Sequence, residues 1–143
     1  MRSRLTWMAL ALATSAPLRA APETSSLSAH VTGFTHDRGH VIAKLYAPGD
    51  DVLGPGRWTA QAVVHGGEAT VQWPGLPRGR YAVVVFHDEN DNGTLDHNMF
   101  RMPAEPLGFS NGFTLSWHSG MPSFDKLQFE LAQPAQTIEV RVR

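Results

Sequence analysis

Six successive apolar residues, Tyr81-Ala82-Val83-Val84-Val85-Phe86, run almost directly into an acidic loop, Asp88-Glu89-Asn90-Asp91-Asn92-Gly93-Thr94-Leu95-Asp96. A short run with no polar side, rich in β-branched and aromatic residues, suits a strand buried on both faces. The loop then spaces oxygen-bearing side chains two residues apart and turns at a glycine. One stretch therefore sets two requirements for the fold: a central strand, and a loop tied to its end.

Around it, short apolar segments alternate with Gly and Pro punctuation, as in an all-β sandwich. Ser26–Phe34, His40–Ala47, Trp58–His65, Glu68–Trp73, Tyr81–Phe86, Phe124–Leu131 and Ile138–Val142 read as strands. Trp58, Gln61 and Ala62 also permit a helical turn, although Val63 and Val64 favour the strand. Pro74-Gly75-Leu76-Pro77 reads as a tight connection. His97–Ser123 has little periodicity and is expected to be a long loop, a length that usually marks function. Seven strands and almost no helix predict an all-β chain forming a single Greek-key β-sandwich.

The first residues read differently. Arg2 and Arg4 precede an apolar run, Leu5–Ala16, and small residues follow at Ala20 and Ala21. This is the pattern of a cleaved secretory signal peptide over residues 1–20, leaving residues 21–143 as the domain and placing the protein in the periplasm or outside the cell. The apolar run is too short for an ordinary membrane span, and no later stretch replaces it. Removing the leader takes away three arginines and no acid, moving the formal charge from −1 to −4. That mild acidity argues against a nucleic-acid partner. With no cysteine, stability must come from an apolar core, which a domain of about 120 residues can supply by burying roughly two-thirds of its unfolded surface.

The loop has the chemistry of a calcium site. Calcium takes six to eight hard oxygens, and alternate residues of a tight loop can aim theirs inward. Asp88, Asn90 and Asn92 offer side-chain oxygens, Thr94 its carbonyl, and Asp96 a direct or water-mediated carboxylate. Gly93 permits positive φ, and Leu95 is expected to pin the loop to the core. The spacing matches the first part of an EF-hand loop. Met99 stands where that loop ends in a bidentate Glu, and no helix pattern flanks it, so the chain is not an EF-hand. Glu105 is the candidate for the last ligand, while Glu89 and Asp91 are expected to face solvent. A metal-free turn held by Asx bonds is the competing reading, although two carboxylates facing one loop interior repel unless a cation or proton intervenes. A transition-metal site from His87 and His97, with His118, is a third reading, opposed by the alternation that turns His87 away from Asp88.

Gly79-x-Tyr81-Ala82-Val83-x-Val85-x-His87-Asp88-Glu89-Asn90-x-Asn92-Gly93-x-Leu95-Asp96 resembles the signature of the DUF2141 family of exported bacterial proteins. Pro103-x-Glu105-Pro106-x-Gly108-Phe109-Ser110-Asn111 and Pro122-Ser123-Phe124-Asp125 extend the resemblance. It implies a sandwich similar to the transthyretin-like or carboxypeptidase-regulatory-like domains and carries no assigned activity. Arg101 departs from the pattern, in which a glycine more often precedes Ile/Met-Pro, so a local backbone difference is expected there.

Catalytic patterns are thin. Ser110, His118 and Asp125 could be cast as a triad, but no nucleophile-elbow glycines surround Ser110, and Ser110 and Asn111 are expected to brace a loop instead. Asp88/Asp96 or Glu105/Asp125 could pair for glycoside hydrolysis, with no sugar-stacking aromatic run beside them. Phe100, Phe109, Phe113 and Trp117 crowd the long loop and are expected to pack it onto the sandwich rather than form an exposed patch. The sequence therefore favours a non-enzymatic, monomeric, exported module that binds calcium and presents a surface to an envelope, protein or glycan partner. An enzyme or transport accessory using the same surface is the alternative.

Overall fold

A computed structural model describes residues 23–143; the expected leader, residues 1–20, lies outside the described residues. The fold is all-β, with strands β1 (Thr24–Thr32), β2 (His40–Tyr46), β3 (Trp58–Val63), β4 (Glu68–Pro77), β5 (Gly79–Asp88), β6 (Leu107–Phe109), β7 (Phe129–Leu131) and β8 (Ala135–Arg141). One helical turn, α1 (Phe124–Leu127), precedes β7. Among the described residues no helix is long and apolar enough to cross a membrane.

The strands form two sheets, ordered β4-β1-β8 and β3-β2-β5-β6. In the first, β1 is central, antiparallel to β4 and parallel to β8. β4 thus returns beside β1 after the β2–β3 hairpin, the long return typical of a Greek key. In the second, β5 pairs with β2 along one edge. Its other edge is divided between β6, opposite Val84–Phe86, and β7, opposite Gly79–Tyr81.

Both faces of β5 are covered, as its composition requires. Tyr81, Val83 and Val85 join Leu27, Val31, Leu45 and Trp73 in the core between the sheets. Ala82 and Val84 point the other way, into a second cluster with Tyr46, Val52, Phe109 and Leu127. That second layer comes from the segment after β5, which folds back over the outer face of the sheet, together with Val52 from the β2–β3 connection. Burying one side chain such as Leu127, which is fully enclosed, contributes about 1.5–3 kcal/mol.

Three segments differ from the sequence reading. Phe124–Leu131 is not one strand: Phe124 and Leu127 are three apart and form a helical turn, and only Phe129–Leu131 pairs with β5. Pro74-Gly75-Leu76-Pro77 is not a connection but part of β4, which bulges there against β1 between Ser25 and Leu27. The edge position spares the proline's missing N–H, and Gly75 takes φ 71°. β6 is the third difference, a strand inside the expected long loop.

The two sheets also meet along the chain's last residues. Val142 N donates to Thr32 O at 2.9 Å, continuing the first sheet, and Leu107 and Arg143 exchange backbone hydrogen bonds of 3.2 and 3.0 Å. A Cβ on Gly108 would stand 2.8 Å from Val140 Cγ1 and 2.9 Å from the Arg141 carbonyl oxygen, so only glycine allows β6 to come this close.

Candidate metal centre at the end of the central strand

β5 ends at Asp88, which is buried and paired with His40 of β2. Its carboxylate winds the loop. Oδ1 accepts the Asn92 amide at 3.1 Å and Oδ2 the Gly93 amide at 2.7 Å. Gly93 has φ 77° with open space beside it, so backbone conformation rather than crowding requires the glycine. The Asn90 Oδ1 shares the Asn92 amide at 3.1 Å. Asn92 Oδ1 accepts the Thr94 amide at 2.8 Å and the Thr94 hydroxyl at 2.9 Å.

Asp96 closes the loop from the other end. Its Oδ2 accepts from Asn90 Nδ2 at 2.7 Å and its Oδ1 from Asn92 Nδ2 at 2.9 Å. Asp88, Asn90, Asn92, Thr94 and Asp96 are therefore gathered into one network. Glu105, although nine positions beyond Asp96, reaches the same loop. Buried, it accepts the Glu89 amide at 3.0 Å and the Asp96 amide at 3.2 Å. Each carboxylate oxygen has two lone pairs, so Asp88 and Glu105 retain accepting capacity beyond these bonds.

Two expectations about this loop are corrected. Leu95 is half-buried and belongs to neither apolar cluster; the carboxylate bonds, not a leucine, anchor the loop. Glu89 and Asp91 do not simply face solvent. Glu89 Oε1 lies 3.2 Å from His36 Nε2 and 3.6 Å from His87 Nδ1, and Asp91 Oδ1 bonds His40 Nδ1. Alternation explains the first: Glu89 and His87 are two apart and share the face opposite Asp88. His87 does point away from the loop, as the alternation requires. His97 and His118 are exposed and do not join it.

The long loop divides its aromatics. Phe109 and Phe113 pack edge-to-face with centroids 5.3 Å apart, against the second cluster. Phe100 and Trp117 do not pack; both are exposed, with Trp117 fully so. Met99, Phe100, Met102, Leu115, Trp117 and Met121 are exposed large apolar side chains of this one segment. Met102 and Leu115 line the same groove of about 200 Å³, beside Glu105, Arg141 and Arg143.

Ser110 is the brace its surroundings suggested. Fully buried, its Oγ accepts the Val83 amide at 2.9 Å and donates to Leu127 O at 2.6 Å. Asn111 Nδ2 donates to Lys126 O at 3.1 Å. His118 and Asp125 make no bond to this serine.

The sequence model of a family described as uncharacterized protein conserved in bacteria, DUF2141, matches residues 29–139. The chain belongs to the DUF2141 family. No curated protein and no solved structure matches it. The DUF2141 match starts inside β1 and ends inside β8, so it takes in both sheets, the acidic loop and Glu105. Where the chain departs from the DUF2141 pattern, Arg101 takes φ 58°, the left-handed region that a glycine would occupy freely.

Proposed function

We propose that this protein is an exported, monomeric, non-enzymatic binding module in which a calcium-braced loop presents an apolar surface to a protein or glycan of the cell envelope. The observation that carries this reading is the placement of Met99, Phe100 and Met102 directly on the acidic loop's exit. Asp96 O accepts the Ala104 amide at 2.8 Å, His97 and Pro103 form a β-bridge, and Asn98 N donates to Met102 O at 2.9 Å. The small hairpin bearing the exposed side chains is thereby hinged on Asp96 and Glu105. Exposed apolar groups gathered in one segment mark an interaction site more often than scattered ones. The adjoining groove is smaller than the roughly 300–1,000 Å³ of small-molecule pockets, which favours a surface partner.

Calcium suits the types of donor in the loop. Asp88, Asn90, Asn92 and Asp96 provide side-chain oxygens, the Thr94 carbonyl and Glu105 the remainder. An ion there requires the Asn90 and Asn92 amides to turn their oxygens inward, replacing N–H contacts to Asp96 with contacts to the cation. Neutral asparagines at two positions place the affinity at the weak, extracellular end, about 10⁻⁴–10⁻³ M.

Two measurements test the proposal. Calcium at about 100 times Kd adds roughly 2.7 kcal/mol to native stability, a midpoint rise of several degrees for a domain of this size. Asp88→Asn should remove most of that rise. Isolated envelope fractions should retain the wild-type protein more strongly with calcium than with chelator, and Phe100→Ser/Trp117→Ser should not be retained. Absence of a calcium-dependent midpoint shift sinks the metal; retention indifferent to the two aromatic substitutions sinks the surface.

A further inference from the structure

His36, His87 and Glu89 bring two imidazole nitrogens and a carboxylate oxygen within 4.8 Å of one another. His87 is fully buried at the end of β5, and its Nε2 lies 2.6 Å from the Arg38 carbonyl oxygen. A carbonyl can only accept, so Nε2 carries the proton in the neutral ring. Nδ1 then holds a bare lone pair, and this buried nitrogen has no hydrogen-bond partner. It lies 3.6 Å from Glu89 Oε1, which is itself 3.2 Å from His36 Nε2.

We propose that His36 Nε2, His87 Nδ1 and Glu89 Oε1 form a binding site for a divalent transition-metal ion of the zinc class. Donors about 2.0–2.1 Å from zinc in a tetrahedron lie roughly 3.3–3.4 Å apart, and the two measured separations fall on either side of that spacing. The buried ring is already set in the tautomer a metal needs, by a backbone carbonyl on its far nitrogen, the usual outer support of a ligating histidine. The ion also gives the orphaned Nδ1 the partner that the protein does not provide. Three protein ligands leave a fourth position open, and the partial exposure of His36 and Glu89 gives the ion a path in.

One residue aligns both rings. The Arg38 carbonyl holds His87, and the Arg38 amide donates to His36 Nδ1 at 3.3 Å. When a metal takes His36 Nε2, the ring's proton moves to Nδ1 and that long bond is given up, so the Arg38 amide resonance reports occupancy. The ligand chemistry is distinct from the loop's. Alternation at the end of β5 sends Asp88, with its hard oxygens, to one face and His87 with Glu89 to the other. Imidazole nitrogens select zinc, copper or nickel over calcium.

The test uses the chain without a histidine tag, stripped with chelator and titrated with zinc chloride, with cobalt(II) as a spectroscopic stand-in. Zinc should raise the unfolding midpoint, cobalt should give the visible bands of a low-coordinate site, and the Arg38 amide should shift. His36→Gln and Glu89→Gln, both at the surface, should each weaken zinc binding by at least about tenfold. His97→Gln and His118→Gln should not change it. The proposal is overturned by a zinc response that survives either His36→Gln or Glu89→Gln, or by no response in the wild type. In the latter case His87 Nδ1 is not a metal ligand. Excess calcium should leave the cobalt bands unchanged, which separates this site from the loop.

Discussion

Glu105 Oε1 accepts the backbone amide of Glu89 at 3.0 Å. The other oxygen of the same side chain holds the Asp96 amide at 3.2 Å, so one buried carboxylate closes the loop at both ends. Glu105→Ala strips the acceptor from both amides and should cost about 1–3 kcal/mol. Amide exchange should quicken from Glu89 to Ala104 while β5 stays protected. A variant with unchanged exchange there would show that Glu105 is not the clamp.

Gly39→Ala should be among the most damaging single-methyl additions. Gly39 has φ 77°, and a Cβ would sit 2.0 Å from the Asp88 carbonyl oxygen. Neither backbone can yield without moving the end of β5 or lifting Arg38 from His87. Thermal unfolding should fall well beyond the ordinary surface range of about 0.5 kcal/mol. Gly66→Ala, also at positive φ but with nothing within 4 Å, should show only the conformational part of the penalty.

Stability should have a shoulder on its alkaline side. His30 of β1 lies between Glu68 and Glu139 at 3.3 and 2.9 Å, and hydrogen bonds to those two carboxylates raise its pKa above 6.5. A raised pKa means the protonated ring favours the fold. Its contribution is complete below 6.5 and disappears as pH climbs through the folded-state value. The midpoint difference between wild type and His30→Gln should therefore shrink steadily as pH rises above 6.5. On the acid side Asp37, held low by the Gly67 and Gly66 amides, and Asp50, held low by Arg57, act oppositely. Their contributions are present above about 3.8 and are lost as pH falls through the lowered values.

At Arg101 the left-handed backbone costs a side chain about 1–2 kcal/mol, partly offset by the greater freedom of an unfolded glycine. Arg101→Gly should be neutral or stabilising by less than about 1 kcal/mol, and Arg101→Val, β-branched, should destabilise. Urea midpoints in the reverse order would mean that the turn at Asn98 sets its own backbone differently.

Much of this architecture could be read from residue patterns. Tyr81–Phe86 declared a strand covered on both sides because no polar residue interrupts it. The alternating Asp88, Asn90, Asn92 and Asp96 marked a loop tied to its end, whose side chains do bond one another and the loop backbone. The segments that escaped owe their state to distant partners. Leu107–Phe109 is a strand only because Val84–Phe86 has an unfilled edge, and three residues carry too little periodicity to show it. Pro74 and Gly75 imitate a turn and become a bulge because β1 continues to pair on either side. The grouping of His36 with His87 and Glu89 was hidden for a related reason. His36 stands 51 positions before His87, and only the β2–β5 pairing draws the segment before His40 against the end of β5.

The division of β5's outer edge between β6 and β7 bears on how the protein behaves when concentrated. An unbroken edge on an apolar strand is a template for another chain and an entry to cross-β assembly. Here the gap between the two short strands is filled by Ser110, whose amide donates to Val83 O at 3.0 Å and whose hydroxyl takes the Val83 amide. This apolar strand therefore offers no free backbone row to a neighbour beside Val83. A side chain that could pass for a nucleophile acts instead as the plug that keeps the strand from recruiting copies of itself.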